Sequence, residues 1–202
     1  MKSINKMIRY TLFFYAFVAL VYWIFIRPEH MNWNATAEEI NRKIPGDELI
    51  SSNRVVSTRA ITIHASKEKV WPWIAQTGQN RGGFNSYYWL ENLFGAKMPD
   101  AKAIHPVWQD PRPGDTVYYG KDQGYELIAL VKKNEYYSLG GWTFYLREID
   151  PGNTRFMVRY PSMELRQSKW MGMYYYGLFE PLHFIMESGM MMGIKQKSER
   201  QY

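Results

Sequence analysis

His183 and Glu187 stand four residues apart in a stretch, HFIMESGMMMGIK, whose pattern is helical, so the two side chains share one helix face. An imidazole beside a carboxylate can take up and return a proton, and the pair suits general acid–base chemistry if that face lines a cavity. The same spacing also makes ordinary surface and capping contacts. The remaining candidates are aromatic or sulfur-bearing. Tyr87, Tyr88 and Trp89 form a consecutive run that can orient an otherwise apolar ligand at a cavity mouth. Trp142, Phe144, Phe156 and Tyr160 fall on strands, and Met186, Met190 and Met191 offer an adaptable apolar wall because thioethers repack easily. All of these serve equally well as plain core. Arg81 can meet an anionic head group, although a solvated loop arginine is the ordinary account.

Other chemistries are poorly served. The chain has no cysteine, which excludes disulfides, thiolate metal sites and cysteine nucleophiles. His30, His64, His105 and His183 are far apart, and none has the close-spaced partner of a metal-ligand motif, so no metal is expected. No nucleophile elbow supports a serine triad. GQNRGG lacks the Gly-Lys-Ser/Thr ending of a phosphate-cradling loop and reads as a helix stop followed by a turn. No cofactor is expected. The net charge is +6, but Lys2, Lys6, Arg9 and Arg27 against Glu29 place half of that excess in the first thirty residues. The rest is mixed in sign, which argues against a nucleic-acid partner.

The elements that must position these residues follow from pattern. Thr36-Ala-Glu-Glu39 is a capping box opening a short helix that Pro45-Gly46 ends. VVSTRAITIH at 55–64 is a β-branched strand. Ser66 is placed to cap a helix through Val70, Trp71 and Ile74, with Pro72 inside it as a kink and Gly78 as its stop. SYYWLENLF at 86–94 is a second short helix. From Thr116 the chain turns to strands, TVYYG, YELIALVKK, EYYSLGG, WTFYLREI and TRFMVRY, separated by turn residues. A three-residue loop at the Asp150–Asn153 turn puts Trp142, Phe144 and Leu146 on one face with Phe156, Val158 and Tyr160. It leaves Arg147, Arg155 and Arg159 facing solvent, whereas an even loop would set Phe144 against Arg159. A helical region from roughly Met171 to Lys197 closes the chain, interrupted by Pro181, with Gly189 and Gly193 letting it lie close to a neighbour. The fold class is α+β, an antiparallel sheet whose only large available cover is that helix.

Tyr10 to Ile26, YTLFFYAFVALVYWIFI, carries no charge over seventeen residues, the short end of a bilayer-spanning helix. Its bulky far end does not suit a signal-peptide cleavage site, and a core helix would need complete enclosure. Residues 1–30 therefore read as a membrane anchor with its span at about 8–26. Residues 31–54 read as a short helix and linker, and 55–202 as a globular domain. Lys2, Lys6 and Arg9 before the span, against Arg27 behind it, place the N-terminus in the cytoplasm and the domain outside, a contrast that Arg42 and Lys43 weaken.

PGDELI at 45–50, TRAITIHASKEKVWPWIAQTGQNRGGFNSYYWLENLFG at 58–95 and HFIMESGMMMGIKQKSE at 183–199 resemble the START-like, or SRPBCC, superfamily, and within it the bacterial polyketide-cyclase-like proteins of unassigned function. The resemblance spans about residues 34–199. It implies a helix-grip fold, in which a curved antiparallel sheet grips the C-terminal helix around a hydrophobic cavity. Its members bind lipids, sterols or polyketides, and some catalyse cyclisation or dehydration. The expected function is membrane-tethered binding or transfer of an apolar small molecule. The alternatives are a cyclase- or dehydratase-type enzyme using His183, Glu187 or a cavity tyrosine, and a protein-interaction domain whose cavity is filled.

Overall fold

In the computed structural model, which describes residues 2–162, 172 and 174–200, β-branched and aromatic segments pair into one antiparallel sheet. Its strands are β1 (Val56–Ile63), β2 (Thr116–Tyr118), β3 (Tyr125–Lys132), β4 (Tyr136–Leu139), β5 (Trp142–Asp150) and β6 (Asn153–Pro161), in the spatial order β1-β6-β5-β4-β3-β2. The strand predicted at 55–64 thus pairs with the last strand rather than with its successor. The fold is α+β: this six-stranded sheet, a C-terminal helix laid on it, and an apolar N-terminal helix.

The β5–β6 register puts Phe144 opposite Val158 and Leu146 opposite Phe156, the shared face expected from the sequence. The means differ from the three-residue loop. Asp150 pairs directly with Asn153 across a two-residue turn, and a bulge between Glu148 and Asp150 supplies the odd residue. One extra residue on one strand restores the parity that a tight turn alone would have reversed.

Both faces of the sheet are covered. The inner face packs Ile61, Ile63, Phe144, Phe156 and Val158 against α4 (Lys67–Ala75) and the C-terminal helix, here α6 (Glu180–Glu199). Each such side chain contributes on the order of 1.5–3 kcal/mol by leaving water. The outer face was expected to show arginines to solvent, and for two of them it does not. Arg159 is buried, donating to Asp47 Oδ2 at 2.6 Å and to the carbonyls of Arg42 and Glu39 at 2.9 Å each. Arg155 holds both carboxylate oxygens of Glu39, at 2.7 and 2.9 Å. The cover is the segment around α3 (Ala37–Asn41), whose Thr36–Glu39 capping box forms as its spacing predicts. Alternation along β6 cannot reveal a lid contributed by residues a hundred positions away.

On the inner side, α5 (Tyr88–Leu93) and the loop before it lie against α6. Gly189 and Gly193 permit that approach. A Cβ on Gly193 would stand 1.8 Å from the Asn85 carbonyl oxygen, and one on Gly189 would stand 2.5 Å from the Tyr87 ring. Pro181 does not break the helix; it stands at the junction where a π turn at Tyr175–Phe179 passes into α6, and the backbone stays helical across it. The predicted start at Met171 lies outside the described residues. Ser66 takes the N-cap position of α4 without a side-chain bond to its backbone.

The N-terminal rod is continuous: α1 (Lys2–Val21), a π turn at Tyr22–Ile26, then α2 (Arg27–Met31). Its stretch Lys6–Met31 has a mean hydropathy of 1.7 in its most apolar window, none of that window is buried, and it is long and apolar enough to cross a membrane. A core helix would be enclosed, so that reading of the segment falls.

Candidate functional site

Between the inner face of the sheet and α6 lies a cavity of about 410 Å³, within the roughly 300–1,000 Å³ that small-molecule sites occupy. Strand alternation aims Trp142 and Tyr160 into it, and helical spacing brings His183, Met186, Glu187 and Met190 to it from α6. Six of the side chains singled out from the sequence therefore meet in one place. Phe144 and Phe156 do not line the cavity; they are buried in the core and stack on each other. Tyr87, Tyr88 and Trp89 are not on its wall either. Tyr87 covers Gly189, and all three are exposed. Met191 is core, and Arg81 is held by Asp115 and the Ala75 carbonyl rather than free in a loop.

Trp142 organises the wall. Its ring stacks near-parallel on Phe84, with centroids 5.9 Å apart, and meets Tyr160 edge-on at 5.9 Å. Its indole N–H donates to Glu187 Oε1 at 2.8 Å. The second oxygen of Glu187 is ion-paired with Arg59 of β1, and both side chains are almost wholly buried. Arg59 in turn donates to the His30 carbonyl at 2.8 Å and lies over the Phe184 ring. Glu187 is thus committed to two donors, so the expected acid–base partnership with His183 is weak: the imidazole Nε2 is 3.9 Å from Glu187 Oε1, beyond hydrogen-bond length. His183 instead stacks on Tyr160, with centroids 3.9 Å apart. Burial lowers its pKa to about 4, overriding the pull of Glu187, so the ring is neutral at physiological pH.

Sequence reasoning missed Glu91, Phe84, Ser86, Tyr119, Gln123, Phe179 and Leu182 on the cavity wall. Glu91 projects from α5, and its Oε2 is buried with no hydrogen-bond partner. Burial, with Asp100 adding a like charge, pushes its carboxyl up to about 7. Burial also raises the Tyr119 hydroxyl to about 12 and lifts that of Tyr160, which keeps both as donors. The signal for Glu91 was present: it is the one charge in the aromatic run at 86–94. That for Arg59 was its parity with Ile61 and Ile63 on β1. The result is a mainly apolar, aromatic chamber carrying a neutral imidazole, two tyrosine hydroxyls, the Ser86 hydroxyl (which donates to the Met186 carbonyl), the Gln123 amide, an occupied carboxylate and a carboxyl with one unpaired oxygen.

No protein-family model and no curated protein matches the sequence. Among solved structures, a protein of unknown function from Staphylococcus aureus is similar to this chain at 13% identity and a TM-score of 0.34, over 74% of this chain and 100% of that one.

Proposed function

We propose that the chain is a membrane-tethered module that binds or transfers an apolar small molecule, lipid-like or polyketide-like, in the chamber between the sheet and α6. The observation that carries this reading is the chamber's combination of volume and lining: about 410 Å³ walled mainly by aromatic and methionine side chains, with few polar groups. A chamber of that size counts against an interaction domain with a filled cavity. An antiparallel sheet laid on a long C-terminal helix with a cavity between them is also what a helix-grip, START-like fold requires, and we assign the domain to that superfamily on this arrangement and the sequence resemblance. The N-terminal helix is read as the tether, with the domain on the extracytoplasmic side.

The test uses the full-length chain, released from lipid nanodiscs and compared by native and denaturing mass spectrometry. The expected result is a discrete apolar mass retained on the folded chain, lost on denaturation, and retained less well by Met186→Trp, which narrows the chamber. An empty wild-type chain overturns the reading. One observation favours an enzyme instead. Glu91 is a chamber carboxyl with an unpaired oxygen and a pKa near neutrality, and it can serve as acid or base where Glu187 is already engaged.

A further inference from the structure

Side-chain contacts at several levels fasten the rod to the C-terminal helix. Trp23 packs edge-on against Tyr176 at 5.2 Å, Arg27 grips both carboxylate oxygens of Glu180 at 2.8 and 3.0 Å, and His30 lies against Phe184 at 5.3 Å. Arg27 also lies over the rings of both Trp23 and Tyr176. The partner numbers climb together, so the two helices run side by side in the same direction over about 10 Å. At the 153-position offset of the Arg27–Glu180 pair, Tyr174 and Leu178 fall level with Val21 and Phe25, inside the uncharged run that ends at Ile26. Glu180 and the first turn of α6 fall level with the polar residues just beyond that run.

The faces of this second helix differ accordingly. Tyr176, Glu180 and Phe184 meet the rod, while Tyr174, Leu178 and Ile185 are exposed. Next to them, Leu182 and Met186 share with Phe94 and Leu90 of the α5 region a smaller apolar cleft of about 230 Å³. That cleft adjoins the main chamber through Glu91, Tyr119, Gln123, Leu182 and Met186, which line both. Phe94 on its wall is 66% exposed, and its neighbour in sequence, Leu93, is 73% exposed. Exposed apolar side chains gathered beside an opening mark a docking face.

We propose that a lipid bilayer covers this face: the turn Tyr174–Phe179 lies within the acyl layer beside the rod, and Leu93 and Phe94 rest at the headgroup boundary, so that the chamber opens onto the membrane surface and draws its occupant from the lipid phase. The inference rests on the rod being a membrane span. It goes further by fixing which side of the domain the membrane touches and where the cleft leads. Aromatic and aliphatic side chains at that depth gain by burial in the interface, as they do on amphipathic surface helices.

The chain has no cysteine, so single labelling sites can be placed in the full-length protein without background. Nitroxide labels at Leu178→Cys, Phe94→Cys, Phe17→Cys and Ile149→Cys would be read in phosphatidylcholine–phosphatidylglycerol vesicles by their collisions with oxygen, which concentrates in lipid, and with a water-soluble nickel chelate. Ile149 lies beside the β5–β6 turn. There Asn153 bonds His64, whose N–H meets Glu199 at the far end of α6, on the order of 28 Å from Glu180. The expected oxygen-to-nickel ratio is severalfold above that of Ile149→Cys at Leu178→Cys, with Phe94→Cys between the two. If Phe17→Cys reports lipid but Leu178→Cys and Phe94→Cys match Ile149→Cys, this docking face is overturned and the tether stands. If Phe17→Cys is itself aqueous, the span reading fails and the docking face with it.

Discussion

The two faces of the sheet both bury arginine, and they do so in opposite ways. On the outer face, Arg155 and Arg159 are met from several directions. Glu39, Asp47 and the carbonyls of Asn34, Glu39, Ile40 and Arg42 accept from them. On the inner face, Arg59 depends on a single carboxylate, Glu187, which also accepts from Trp142 and borders open space. The outer arrangement is a many-membered polar network that fastens the residues around α3 to the sheet, although Asp47 Oδ1 and Arg147 Nε beside it are buried without a partner. The inner one is a short chain at the wall of a chamber, running from the His30 carbonyl through Arg59 and Glu187 to the Trp142 N–H. Arginine burial by itself therefore says nothing about function; what separates the faces is that the inner chain alone borders open space.

The largest effects should come from breaking that contrast directly. Arg59→Met strands the Glu187 carboxylate in the core and should cost about 3–5 kcal/mol of unfolding free energy. Adding Glu187→Leu should recover much of the loss, because the stranded charge is gone and only the His30 carbonyl and the Trp142 N–H then lack a partner. Arg159→Met should cost a similar amount, but Asp47→Leu should not rescue it, because the carbonyls of Arg42, Glu39 and Ile40 remain without their donor. Chemical denaturation of the two single and two double variants measures both halves. Equal rescue on the two faces would erase the distinction between pair and network.

A smaller effect probes how the chamber side is held together. Gly193→Ala puts a methyl group where the Asn85 carbonyl oxygen sits, 1.8 Å away, and backbone must move to admit it. The expected cost is about 1–3 kcal/mol from overpacking, with a loss of any retained apolar ligand because the 85–87 loop sets the position of α5. Gly152→Ala in the β5–β6 turn, whose Cβ would meet nothing within 4 Å, carries backbone strain alone and should leave retention intact. Thermal unfolding together with ligand retention separates the two.

What the sequence disclosed follows the range of the interactions involved. The capping box at Thr36–Glu39 and the face shared by Phe144, Leu146, Phe156 and Val158 are short-range patterns, and they were readable. So was the need for small residues at Gly189 and Gly193, though not the identity of what they approach. The bulge beside Ile149 was not readable, because a two-residue turn plus one extra residue and a three-residue loop have the same parity. Arg155 and Arg159 were assigned to solvent because period-two alternation reports which face a residue is on, never what lies above that face. The chamber followed the same rule: His183, Met186, Glu187 and Met190 share helical spacing, but the engagement of Glu187 by Arg59 depends on a strand 128 positions away.

The smallest expected effect is also the one whose sign divides the faces. On the outer face, the hydrogen bonds from Arg155 hold Glu39 down at about 2, below its ordinary 4.5. Its contribution to stability is complete above about pH 4.5 and is lost only as acid carries the pH toward 2. Glu91 on the inner face is raised instead, from 4.5 to about 7. The folded state then binds the proton more tightly than the unfolded chain does, so this contribution is complete below pH 4.5 and is lost as pH climbs through 7. His183, lowered by burial, adds stability that disappears as pH falls from 6.5 toward 4, and it cancels when two chains that both retain it are compared. Glu91→Gln keeps the shape and removes the titration. Wild type and variant should therefore be close in stability at pH 5, and the variant should be more stable at pH 8 by about 1–2 kcal/mol, the full shift being reduced by the group's partial exposure to water. Paired thermal melts across that range measure the gap. A gap that stays constant with pH would mean that Glu91 has a partner after all. A gap that shrinks when an apolar ligand bearing a cationic or hydrogen-bond-donating group is added would show the occupant supplying what the protein leaves out.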